Sequence, residues 1–201
     1  MNKKELWLSI KNYHFDHLAS ANIWGKISEV FGGVNANTKA FAAKIARKHG
    51  WKNKFALMAV QEYKKFVYLG IVSDFHVTPS KIIDTVWHEH LLFTKAYREF
   101  CKQVIACDFD HHPELLPVDS ETDIFHAQYN DTLDLYRSEF GKEPVTAVWQ
   151  QTKYQKENPE KINALSRKKI TQTDYNGNTD YSNALPLYTF FDNPDGTNDV
   201  F

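Results

Sequence analysis

Residues 77–113, VTPSKIIDTVWHEHLLFTKAYREFCKQVIACDFDHHP, decide both the fold class and where chemistry should be sought. Thr78-Pro79 reads as a helix N-cap followed by a first-turn proline, and no further glycine or proline occurs before residue 113. The stretch therefore predicts one long helix from Thr78 to about Ala106, closed by a polar turn ending in His111-His112-Pro113. It contains four of the nine histidines of the chain and both of its cysteines.

On such a helix Asp84 and His88 are four residues apart and share a face, with Cβ atoms within about 6 Å. His88 and His90 are roughly 200° apart around the axis, so a regular helix does not let them share one ion. His90 instead falls with Ile83, Val86, Tyr97 and Cys101, as a second site or as a core histidine bonded to a tyrosine. Imidazole and carboxylate are the usual ligands of zinc, iron and copper. The expected ligand set is Asp84 and His88 with His111, His112 or both folding back from the turn. Residue type and spacing do not rank His111 against His112. Around such a centre, His90, Tyr97 and Glu62 are the expected proton-transfer groups. The competing expectation is structural: Asp84 orients His88 by hydrogen bonding, Trp87-His88 packs the helix, and the domain only binds a partner.

Upstream, Leu6, Trp7, Ile10 and Tyr13 form one helical stripe, and Ile23, Trp24, Ile27, Val30 and Phe31 form another that stops at Gly32-Gly33. A third helix, capped by Asn37 or Thr38, turns Phe41, Ala42 and Ile45 inward and ends at Gly50. Residues 53–69 form a fourth, with Phe55, Ala59, Tyr63, Phe66 and Val67 on one face and Glu62 at its border. Downstream, Ser120 caps a helix bearing Phe125, Tyr129, Leu133, Tyr136 and Phe140, ended by Gly141. From Gln150 onward the character changes: Asn158-Pro159-Glu160 can start a brief helix to Lys168, 174–183 is polar and rich in Asn and Gly, and LPLYTFF at 185–191 is apolar enough to dock back onto the domain. These patterns predict an all-α fold, an irregular bundle of about five to seven helices over residues 1–150. Residues 151–201 are expected to be a long irregular C-terminal extension.

Bulk properties narrow the function. The 201 residues carry a net charge of −1 with acids and bases interspersed, which argues against nucleic acid as a partner. The longest apolar run is far shorter than a membrane span, and the N-terminus lacks the apolar core of a secretory signal. Two cysteines six residues apart do not make a disulfide framework, and a reducing, cytoplasmic setting is expected. There is no phosphate-binding glycine loop, nucleophile elbow or His-Glu-x-x-His motif. A small molecule or a protein is left as partner, with a divalent metal, zinc or iron first and copper next, as cofactor.

Several blocks in order, EYKKF at 62–66, Asp84-x-x-Trp87-His88-x-His90-Leu91, Tyr97-x-x-Phe100-Cys101, His111-His112-Pro113 and Phe140-Gly141 followed by Pro144 and Trp149, carry a resemblance. From about Phe41 to Trp149 the chain resembles a bacterial helical family called glycine-rich domain-containing proteins. The resemblance implies an all-α fold and a site in the histidine-rich stretch, and it implies no particular reaction. After Pro113 the chain reads ELLPVDSET where members often have a glycine-containing loop. It has neither the glycine-rich region nor the membrane-anchored region of some members.

Overall fold

The structure is a computed structural model and describes residues 1–18, 21–33, 35–111 and 119–150. Seven α-helices and no β-strand element occur among them: α1 Lys3–Lys11, α2 Ala21–Phe31, α3 Ala36–His49, α4 Asn53–Val72, α5 Lys81–Leu91, α6 Thr94–Phe100 and α7 Asp119–Phe140. The all-α bundle expected from the sequence is therefore what forms. The C-terminal extension and His112 lie outside the described residues. No helix among the described residues is long and apolar enough to cross a membrane.

Helix α4 is the axis of the bundle. It is packed by α1, α3, α5 and α7, so it buries Ala56, Ala59, Val60, Tyr63, Phe66, Val67, Tyr68 and Leu69, residues that go all the way round it. A helix enclosed on all sides must satisfy whatever polar groups it carries, and α4 does so at three points. The Glu62 carboxylate accepts from Lys65 Nζ (2.8 Å) on one oxygen, and from Trp149 Nε1 (2.9 Å) and Tyr136 Oη (3.1 Å) on the other. Lys64 Nζ donates to the Lys11 carbonyl at the end of α1 (2.9 Å). Tyr68 Oη donates to Glu139, which also holds Lys3 Nζ at 2.7 Å. Between them these bonds tie α1 and α7 to the central helix.

The long helix expected over 78–106 is broken. Ser80, not Thr78, is the N-cap, accepting from the Ile83 N–H at 3.2 Å. Thr78 instead joins the loop to α7, its N–H donating to Thr132 Oγ1 at 2.9 Å. At its far end α5 closes with a tight bond from the Phe93 N–H to the His90 carbonyl (3.0 Å), and Phe93 leaves the helical region with ψ 60°. Its ring turns to α3, edge-on to Phe41 and under Lys44 Nζ. Tertiary packing of one aromatic ring ends the helix where the local sequence would continue it. After α6 the chain widens into a π-helical turn, Cys101–Ile105, and reverses at Ala106, whose φ of 57° lies in the left-handed region.

Two smaller expectations also change. The N-cap of α3 is Asn35, and Asn37 and Thr38 are buried in its first turn. On α2, Ile23 and Val30 face solvent rather than the core. Facing α3, α5 carries Glu89, a buried carboxylate between Lys44, Lys48 and His49. Burial alone would raise its pKa, but the hydrogen bonds from these three groups outweigh that and hold it at about 2.

Candidate metal centre

The centre is assembled from α5 and the segment that returns past it. Ser80 starts α5 in the register that puts Ile83, Val86, Trp87 and His90 into the core. Asp84 and His88 lie on the outer face. The turn at Ala106 sends residues 107–111 back along that helix. Phe109 is the anchor of the returning segment: its ring stacks on Trp87 (centroids 4.8 Å apart, 29° between planes) and meets Phe66 edge-on. Its carbonyl accepts from Tyr97 Oη, which in turn accepts from Trp87 Nε1 at 2.9 Å. Two residues on, His111 is turned in as well, with 12% of its side chain exposed.

His111 then lies edge-on to Trp87 (4.5 Å between centroids) and to His88 (4.4 Å). Its Nε2 is 2.8 Å from Asp84 Oδ1. His88 Nδ1 donates to the Asp84 backbone carbonyl (2.8 Å) and is 3.2 Å from Asp84 Oδ2. A carbonyl can only accept, so His88 Nδ1 bears the proton of that bond, an orienting contact of the kind that fixes metal-ligating histidines. Each of Asp84, His88 and His111 offers a ligand atom, and these atoms lie within 4.8 Å of one another, a group able to hold a metal ion. Ligands 2.0–2.2 Å from a tetrahedral zinc are about 3.3 Å apart, a spacing inside the 4.8 Å that bounds this group. Side-chain exposure grades from 12% at His111 through 35% at Asp84 to 53% at His88. One side of the group is thus packed on Trp87 and the other is open to solvent.

The other expected residues are elsewhere. His90 is completely buried in a box of rings from Tyr13, Phe15, Phe41, Tyr97 and Phe100. Its Nδ1 is 3.0 Å from Tyr63 Oη, and burial pushes its pKa down to about 3, so the ring is neutral. His88 and His90 do lie on opposite sides of α5, as the helical angle requires. Tyr97 stands behind Trp87 as a brace for Phe109, and its pKa is driven far up, chiefly by burial. Glu62 is committed to Lys65, Tyr136 and Trp149, and it is not brought into the Asp84 group. Cys101 and Cys107 are free, buried thiols. His17, one of the early histidine pair, sits 3.3 Å from Glu99.

Two residues that position the centre escape a motif search: Phe109 and Gly70. A Cβ built on Gly70 would meet Phe109 Cε2 at 2.4 Å and Cζ at 2.8 Å. An isolated glycine inside an otherwise strong helical pattern is the signal that could have found it, since such a glycine usually admits a close neighbour.

A family model described as UCP032817-like matches residues 35–124, which hold Asp84, His88 and His111. Its description does not carry the glycine-rich name. The chain matches no curated protein and no solved structure.

Proposed function

We propose that this chain is a metal-binding helical domain in which Asp84, His88 and His111 hold a divalent transition metal, zinc or iron before copper. The observation that carries this reading is the meeting of two imidazoles and a carboxylate, from segments 27 residues apart, with ligand atoms within 4.8 Å. Three protein ligands leave positions for water or substrate, the feature that separates catalytic from structural zinc. A metal so held supplies Lewis acidity and an activated water, or, as iron, oxidative chemistry. The protein's own part is to fix the ligands: Trp87 backs His111, Tyr97 secures Phe109, and the α5 backbone orients His88. His112, the next residue, is a further candidate ligand. The free thiols Cys101 and Cys107 support a reducing compartment, the cytoplasm, as the place of work.

Elemental analysis of protein purified without a histidine tag tests the reading. Near-stoichiometric zinc, iron or copper, lost in His88→Ala and in His111→Ala, is the expected result. Metal-free protein whose melting temperature does not rise with Zn²⁺, Fe²⁺ or Cu²⁺ overturns it. One observation favours a second reading, a non-catalytic interaction domain. His111 Nε2 and Asp84 Oδ1 already satisfy each other at 2.8 Å, and so can pin the returning segment to α5 without a metal. The same measurement separates the two.

A further inference from the structure

Behind the anchor of the returning segment lies a cavity of about 500 Å³, open on one side. Its lining combines Tyr97, Cys101 and Phe109 with six charged residues: Lys95, Arg98, Glu99, Lys102, Asp108 and Asp110. The volume is within the range of roughly 300–1,000 Å³ typical of small-molecule sites. The charges are not a neutralised surface network. Lys95 and Glu99 face each other at 3.9 Å, and Glu99 also meets His17. Asp108 is engaged as well. Arg98, Lys102 and Asp110 are different: no side-chain hydrogen bond or ion pair holds any of them among the described residues.

The positions of these three follow from the chain. Arg98 and Lys102 are four residues apart where α6 runs into the π-helical turn, so they stand on the same side of that helical wall. Asp110 projects from the returning segment, between the buried Phe109 and His111, close enough to Tyr97 and Cys101 to perturb both electrostatically. The cavity therefore has two uncommitted cations on one wall, an uncommitted carboxylate on the other, and aromatic rings with a buried thiol between them. A simple anion would satisfy the cations but meet the carboxylates. A simple cation would meet the reverse.

We propose that this cavity binds a small zwitterion, a free α-amino acid with an apolar side chain. Its carboxylate lies at Arg98 and Lys102, its ammonium at Asp110, and its side chain against Tyr97 and Phe109. A planar guanidinium takes a carboxylate in two parallel hydrogen bonds, which makes Arg98 the orienting contact. The proposal does not depend on the metal reading, since none of Asp84, His88 and His111 lines the cavity.

Titration calorimetry of the full chain with L-phenylalanine, 3-phenylpropionate and phenethylamine tests it. Saturable binding of phenylalanine is expected, with each singly charged analogue at least tenfold weaker. Arg98→Ala should weaken phenylalanine at least tenfold. Asp110→Asn should do the same while removing the preference over 3-phenylpropionate. Both positions are exposed, so the variants should fold as the parent does, which a melting curve checks. The parent protein in the presence of a chelator should bind phenylalanine as it does without one, keeping this outcome apart from that of the metal test. Equal affinity for all three compounds, no saturation by about 10 mM phenylalanine, or unchanged binding in both cavity variants overturns the proposal.

Discussion

Tyr97 donates its hydroxyl proton to the carbonyl of Phe109, twelve residues further on, and takes one from the Trp87 indole. One phenol thus spans helix α6, helix α5 and the segment that delivers His111. Tyr97→Phe keeps the ring and removes both bonds, leaving a buried indole N–H and a buried carbonyl unpartnered. A cost of about 1–3 kcal/mol per stranded group is expected in urea unfolding. Looser placement of Phe109 should lower zinc affinity at least tenfold, read by competition with a chelator. Unchanged zinc affinity would mean that Trp87 stacking suffices to position His111.

Gly70 tests the same support from the other side. Helix propensity alone favours Gly70→Ala by about 1 kcal/mol. The added methyl, however, would overlap a Phe109 ring already held by Trp87 and Phe66. Overpacking of this kind costs roughly 1–3 kcal/mol. Net destabilisation is expected, together with weaker metal binding. Gly25→Ala is the control: it lies on the exposed helix α2 with nothing within 4 Å of the new carbon, and should raise the melting temperature slightly.

How much could be read in advance follows from such details. The helices were legible because their apolar residues recur at helical spacing and their ends carry real stop signals, such as Gly50 at φ 69°. Asp84 and His88 were legible because a four-residue spacing fixes their relation without tertiary knowledge. The break at Phe93 was not, since its cause is a ring docking on Phe41 and Lys44, some fifty residues earlier in the chain. The place of His111 also needed a long-range fact: only the packing of its ring on Trp87 and its contact with Asp84, 27 residues earlier, bring it to the outer face of α5.

The Glu62 network predicts a large and local loss. Glu62→Ala would leave the Lys65 ammonium buried without its carboxylate and strip partners from Trp149 and Tyr136. Removing one member of a buried ion pair costs about 3–5 kcal/mol, a large share of the stability of a domain this size. Glu62→Gln, which keeps an acceptor oxygen, should cost less. Chemical denaturation of the two variants, followed by far-UV circular dichroism, checks the order.

His90 makes stability depend on pH in a defined direction. Its folded-state pKa is lowered by burial to about 3 from an ordinary value of 6.5. Below pH 6.5 the unfolded chain therefore takes up a proton that the folded one refuses. Stability is lost as the pH falls from 6.5 towards 3, approaching roughly 1.4 kcal/mol per unit. His90→Gln, which can still bond Tyr63, should flatten that part of the curve while leaving the separate fall below pH 4.5 caused by Glu89. That carboxylate's contribution is full above pH 4.5 and disappears as the pH drops towards 2. Unfolding free energies for parent and variant at pH 7, 6 and 5 read the difference directly.

The ion pair between Lys3 and Glu139 bridges 136 residues of chain. During synthesis the amino end leaves the ribosome long before its carboxylate partner has been made, and Trp149, which caps Glu62, comes later still. Early helices must therefore wait, half-packed, with lysines that have nowhere dry to go. A chain arrested before residue 139 should be a substrate for chaperones and proteases, and completion of α7 is the step that releases it.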